Sequence, residues 1–224
     1  MNPLQQTFNR SEAAALSTNK VLRSTYRLLS MTLLFSALMA GLSMALSLPP
    51  AVGMISSLGA LGLIWLVLPR TENSAAGIGV VFGIAGLLGL GLGPMLQYYL
   101  AIPGGPQIVA TALGGTGIIF LGLSAYVATT RRDFSFMGGF LFVGLMVVLV
   151  GMIANIFLEI PAMSLAISAI MVLLMSGLIL FDTSRIVNGG ETNYIRATVA
   201  LYLDIYNLFI HLLQLLMYFA GNRE

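Results

Sequence analysis

The sequence predicts an all-α membrane protein, a seven-transmembrane helical bundle with a central polar seventh helix, on three observations. The 224 residues are 58% hydrophobic and only 8% charged, with a mean hydropathy of +0.96, too little charge to clothe a water-facing surface. Runs without a formal charge extend from Leu28 to Pro69, from Asn73 to Thr130 and, broken only by Glu159, from Phe134 to Phe181. About twenty apolar residues in a row cross a bilayer as a helix, and these runs are continuous rather than alternating, which excludes a transmembrane barrel.

Residues 1 to 27 carry Arg10, Lys20, Arg23 and Arg27 and lack the short hydrophobic core and small-residue cleavage site of a removable signal peptide. They read as a retained amino-terminal tail, disordered over residues 1 to 19, where Pro3, Ser11 and Thr18 stand among polar residues. The transmembrane domain, residues 28 to 219, follows. Pro49-Pro50 divides the first run into spans 28 to 48 and 52 to 68. Pro103-Gly104-Gly105-Pro106 divides the second into spans 75 to 98 and 108 to 128. Arg131-Arg132-Asp133 closes that pair, and Glu159 with Pro161 separates spans 137 to 158 and 163 to 182. Asn188-Gly189-Gly190 stops the sixth helix, and 195 to 219 is the seventh, leaving 220 to 224 as a short carboxyl tail.

Nine of the ten Lys and Arg fall on one side of this layout, in the tail and the loops holding Arg70, Arg131 with Arg132, and Arg185 with Arg196; only Arg223 falls on the other. Basic residues in short loops stay cytoplasmic, so the amino end is expected inside and the carboxyl end outside. The net charge of +2 gives no nucleic-acid footprint. With no cysteine and one histidine, thiolate sites and multi-histidine metal motifs are excluded. The glycines of the third span and of Gly114-Gly115-Thr116-Gly117 match no nucleotide-loop register; Gly79/Gly83 and Gly89/Gly93 have the spacing that lets membrane helices approach closely.

The seventh span carries the chemistry. At about 100° per residue, Arg196, Ala200, Asp204, Asn207, His211, Gln214 and Tyr218 fall within a wedge of roughly 80°. A carboxylate at depth is costly in lipid, so this face must turn to the bundle interior or a watery cavity. Asp182 closes the sixth span and Asp204 lies two turns into the seventh, at similar depth. Two such carboxylates cannot both ionise easily and titrate as a unit, a proton sensor and candidate cation (calcium) site. For Asp182 a local salt bridge to Arg185 is an equal reading. His211 reads as a hydrogen-bonded packing residue, with Asn207, His211 and Gln214 as candidates for a polar path. Glu159 reads as a solvated charge, and neither it nor Asn155 is given a role.

The run GLILFDTSRIV followed by GGETNYIRATVALYLDIYNLFIHLLQLL resembles the signature end of the Bax inhibitor-1 family, and SAYVATTRRDFSFMGG resembles the segment joining that family's fourth and fifth helices. The stretch GGETNYIRATV is similar in particular to the family's bacterial YccA-type branch. The resemblance implies six helices around a central seventh, a paired-aspartate site to which Asp182 and Asp204 correspond, and a pH-sensitive calcium leak. It also implies an arginine latch at the inner end of the second helix, for which Arg70 is the candidate. For the YccA-type branch it implies a modulator of the membrane-bound AAA protease FtsH in the bacterial inner membrane, gripped through the amino tail. The best-known members of that branch do not keep the second aspartate, so Asp204 favours retained ion chemistry here.

A protease-modulating role and a proton-gated leak are compatible, so the reading is a non-enzymatic FtsH modulator with the leak as its intrinsic activity; the alternative is a leak channel without a protease-regulating role. No cofactor is expected, with calcium only as a transported ion. An intramembrane aspartyl protease is disfavoured because Asp204 sits in Leu201-Tyr202-Leu203-Asp204 rather than Gly-x-Gly-Asp, and no Gly-x-Ser-x-Gly supports a serine hydrolase.

Overall fold

The computed structural model describes the backbone of residues 3–221 and the side chains of residues 19–220. It contains seven helices long and apolar enough to cross a membrane: α1 (Pro3–Ala45, its apolar part Asn19–Ala45), α2 (Ala51–Thr71), α3 (Ala75–Leu100), α4 (Gly105–Thr130), α5 (Gly138–Leu158), α6 (Pro161–Val187) and α7 (Tyr194–Gly221). No strand occurs among the described residues. The expected spans are all present, most of them longer than the charge pattern alone delimits.

The turns follow the expected residues. Gly104 adopts φ 73° between α3 and α4, and Gly189 adopts φ 78° after α6, conformations open to glycine at little steric cost. Arg131 and Glu159, each at φ 50°, end α4 and α5 with a left-handed residue.

The amino segment differs from expectation. The backbone from Pro3 is helical and continuous with the first span, where the sequence reads as a disordered tail. The physical reason lies in its composition: Pro3 is at the first helical position, and Gln5, Gln6, Glu12 and Ala13 to Ala15 are good helix formers. Polarity therefore keeps this segment out of the span without preventing it from winding. At the other end, most of the expected carboxyl tail, residues 222–224, lies outside the described residues.

Two prolines sit inside helices. Pro69 is preceded by a π turn over Leu63–Val67, so α2 continues to Thr71 instead of stopping at residue 68. Pro94 leaves the carbonyl of Leu90 without its usual helical partner, and in hydrocarbon such a group must be bonded by protein. Ser43 of α1 supplies that bond, its Oγ donating to the Leu90 carbonyl at 2.8 Å.

α7 is the axis of the bundle. It packs directly against α1, α3, α4 and α6, while α2 leans on α3 and α5 on α6. Half of the seventh span is buried inside the protein against 11% of the fifth, so α7 is shielded from lipid and α5 is largely a lipid-facing helix. The α1–α3 seam is the closest helix contact. A methyl group at Gly89 would overlap the Ser36 carbonyl, and one at Gly93 would overlap the Ser43 side chain, whereas one at Gly79 would meet nothing within 4 Å. The Gly89/Gly93 pair thus packs as its spacing predicts, and Gly79 does not take part.

This contrast gives a matched test. Gly93→Ala is expected to destabilise the detergent-solubilised protein by about 1–3 kcal/mol through overpacking, whereas Gly79→Ala stays within ~0.5 kcal/mol of the parent. Thermal unfolding of the two variants side by side checks it; equal melting temperatures would remove the seam as a determinant of stability.

Candidate functional site

The polar wedge of α7 faces α6. Asp204 is 5% exposed, and its carboxylate neighbours that of Asp182 across the α6–α7 contact. The Asp204 Oδ2 atom is buried without a partner. Both residues lie on the contact between α6 and α7. An ionised carboxylate in such a place is costly unless paired, so the two neighbouring groups act on each other as one electrostatic unit.

The unit is anchored from the loop end of the bundle by a chain of ion pairs. Arg185, one turn below Asp182, approaches it at 4.0 Å and Glu191 at 3.8 Å. Arg196 then pairs with Glu191 at 3.0 Å and with Glu72, in the α2–α3 turn, at 3.3 Å. The local reading of Asp182 is met by its pairing with Arg185. Arg70 does not join. It is exposed, its guanidinium bonded to the Leu66 carbonyl on its own helix, and the described ion pairs do not include it. The π turn explains the difference, since a residue inserted in the helical ladder turns the following side chains by about 100°.

Asn193 builds the corner beneath the site. Its Oδ1 accepts the backbone N–H of Ile195 at 2.9 Å, capping α7, while its Nδ2 donates to the Glu72 carbonyl at 3.0 Å and to Asn73 Oδ1 at 3.0 Å. The Glu191 Oε1 atom accepts the Asn193 N–H at 2.8 Å. Sequence reasoning passed over Glu72, Glu191 and Asn193. The usable signal was local for Asn193, a capping residue two positions before an apolar run, but Glu72 meets Arg196 only through the fold. On the neighbouring corner, Asp133 accepts hydrogen bonds from Ser135 and then from Ser184, which hold its carboxyl below the usual range. Ser184 of α6 also accepts the Phe134 N–H at 2.9 Å.

Toward the far end, away from these loops, the polar path candidates separate. His211 is buried, its Nδ1 3.4 Å from Ser168 Oγ, and the Ser168 hydroxyl donates to Gln214 Oε1 at 2.9 Å. These three line a cavity of about 720 Å³ whose walls include Asn155, Glu159 and Tyr218. Asn155 caps the α5–α6 turn, accepting the Ile160 N–H at 3.1 Å and donating to Ser164 Oγ at 2.7 Å. Asn207 does not line the cavity; its side chain turns back to the Leu203 carbonyl at 2.8 Å. On α7 the lining of the cavity reaches His211, about 10 Å along the helix from Asp204.

Among the described residues no group of three or more His, Cys, Asp or Glu could hold a metal ion. Calcium takes 6–8 oxygen ligands, so a pair of carboxylates suits a cation in passage more than a resident one. Asp204→Asn is expected to leave the protein at least as stable as the parent near neutral pH, because an amide N–H donating to Asp182 replaces a buried acid whose Oδ2 has no partner. Asp204→Ala, which leaves Asp182 facing a void, should melt lower. Melting curves in detergent check both, and a marked loss in the asparagine variant would show that the ionised pair stabilises the fold.

Residues 18–221 match the family described as inhibitor of apoptosis-promoting Bax1. The chain is 51% identical over 208 residues to a protein of Escherichia coli strain K12 named modulator of FtsH protease YccA, covering 93% of this chain and 94% of that one. It is 50% identical over 222 residues to a membrane protein of Vibrio cholerae serotype O1, covering 99% and 100%. A Pseudomonas aeruginosa protein is 42% identical over 222 residues, with the same coverage. A seven-span bundle, a signature that ends in the α6–α7 aspartates and a match over nearly its whole length together place the chain: it belongs to the Bax inhibitor-1 family.

Proposed function

We propose that this protein is a non-enzymatic, multi-pass inner-membrane modulator of the FtsH protease, with a pH-sensitive cation leak through the Asp182/Asp204 pair as its intrinsic activity. The observation that carries the first part is the 51% identity, over 94% of its length, to a relative named for that role. What supports the second is the buried pair of carboxylates on the central helix, because an ionisable group inside a membrane bundle marks an ion or proton pathway by default.

The excess of basic residues on one side supports a cytoplasmic amino end, which puts the α6–α7 loop and its ion pairs on the cytoplasmic face. In the gating reading, the charged aspartate pair holds that face closed through Arg185, which also binds the loop through Glu191. Arg185 takes the part of the latch that the resemblance gives to Arg70. The direction of the pH effect follows from charge. Acidification adds protons to the pair, a neutral Asp182 gives up its attraction to Arg185, and the population shifts toward an open state. The leak therefore rises as pH falls. Calcium flux into protein-only liposomes from about pH 6 to about pH 8 is expected to show this rise, flattened in Asp182→Asn and Asp204→Asn. An unchanged profile in both variants would remove the pair from the mechanism.

The protease role rests on a segment that an AAA motor can grip and a bundle that resists extraction. Residues 3–18 continue α1 as helix beyond its apolar part. A short polar helix in water is marginal, so it unwinds at little cost for a motor. The seven spans are costly to pull out, and a protein engaged by its tail occupies the protease. Deleting residues 2 to 19 is expected to lengthen the protein's lifetime in cells with FtsH and to leave insertion intact. If both forms decay equally and neither copurifies with FtsH, the leak reading stands alone.

A further inference from the structure

α7 has a second functional face. Opposite the aspartates, Tyr202, Ile205, Tyr206 and Phe209 form the floor of a cleft of about 490 Å³ between α1 and α4. The α1 and α4 backbones do not pack against each other; their side chains meet where the Tyr26 and Phe120 rings lie 6.0 Å apart, closing the cleft toward the loop end. From Phe120 the cleft runs along α4 to Val109, which at the helical rise is about 16 Å. That is close to half of the ~30 Å hydrocarbon thickness of a bilayer, the depth of one leaflet.

The lining has no free hydrogen-bond donor to offer. Of its residues only Ser36, Thr116, Tyr202 and Tyr206 are polar, and every hydroxyl is committed. Ser36 Oγ lies 2.7 Å from the Tyr202 hydroxyl, Thr116 donates to the Ala112 carbonyl at 2.8 Å, and the Tyr206 hydroxyl reaches the Leu88 carbonyl at 3.4 Å. Water in such a space would lose its own hydrogen bonds, and an empty space would forfeit the dispersion contacts of its walls. The mouth is part of the lipid-facing surface: Leu113 is 57% exposed and Leu100 36%. The bilayer is thus continuous with the cleft.

We infer that this cleft is a binding site for one acyl chain of a bilayer phospholipid, entering between α1 and α4 from the leaflet at the far end and lying against α7. The site is independent of the protease and leak readings. Gly117 of α4 lines it, and a side chain built there would start with nothing within 4 Å, so bulk at 117 fills the cleft without first displacing the bundle.

The test uses the full chain in liposomes of phosphatidylethanolamine and phosphatidylglycerol doped with a phospholipid carrying a diazirine at one acyl terminus. After irradiation and digestion, fragmentation locates the adducts. Adducts are expected on the 202–209 stretch of wild-type α7, beside those on the exposed Tyr218 and Phe219 of the same helix. In Gly117→Phe and the milder Gly117→Leu, the 202–209 adducts should fall about fivefold or more, as for a site closed by bulk, while those on Phe140 and Phe157 of α5 stay unchanged. The inference is overturned if wild-type 202–209 stays unlabelled while Tyr218 and Phe219 are labelled. Equal labelling in both variants, or equal labelling of the stretch by a water-soluble diazirine, overturns it as well.

Discussion

Burial of one carboxylate governs the architecture. Asp204 lies midway along an apolar helix, and lipid offers nothing to solvate it, so α7 can sit nowhere but inside a ring of other helices. Placing α7 there requires α6 to present Asp182, and Asp182 in turn brings Arg185 and Glu191 to the loop that joins the two helices. Arg196 extends the same chain of charge to Glu72 at the end of α2. One intramembrane acid thereby sets which helix is central, which neighbour it touches and how the loops at one end are tied. Ion pairs whose arginines are partly exposed add little to stability, so an arrangement this long is better understood as holding a particular conformation.

The same demand for internal partners shapes the helices without charge. Ser43 repairs the carbonyl that Pro94 exposes, and Ser36 meets Tyr202 across the bundle. Both serines lie on the α1 face where Gly89 and Gly93 let α3 come close. Small residues and hydroxyls occupy one seam because close backbones put donors within reach of free acceptors. The outer helices have no such duty, and α5 accordingly presents Phe140, Phe142 and Phe157 to lipid.

What the sequence made legible and what it left obscure divide along the range of the interaction. The seven spans, the turn residues and the central seventh helix all follow from local pattern: length without charge, proline and glycine, and a helical period that gathers polar residues on one face. Glu72 belongs to the site through a contact that spans more than a hundred residues, and no local pattern marks it, whereas Asn193 carries the local signal of a helix cap. Arg70 was misread for a local reason of a different kind. A straight helix carries a face faithfully along its length, but the π turn before Pro69 breaks that phase, and the arginine that meets Asp182 proved to be its own neighbour, Arg185. The amino segment is polar enough to read as disordered, yet its residues are good helix formers and its backbone is helical.

The two faces of α7 are mechanically one object. Its aspartate face touches α6, its aromatic face touches α1 and α3 and floors the cleft, and a rigid helix cannot turn on one side without turning on the other. Rotation that parts Asp204 from Asp182 must move Tyr202 and Tyr206 against Ser36 and the carbonyls of Ala85 and Leu88, where their hydroxyls are bonded. Those bonds cost free energy to break in hydrocarbon, and whatever fills the cleft resists the same displacement by bulk. Under the proposed gating, the charge state of the aspartate pair and the contents of the cleft would therefore act on a single equilibrium, the position of α7. Two influences on one two-state element are coupled by thermodynamic necessity: a cleft occupant that favours one position of α7 changes the proton affinity of the pair, and protonation changes affinity for the occupant by the same factor.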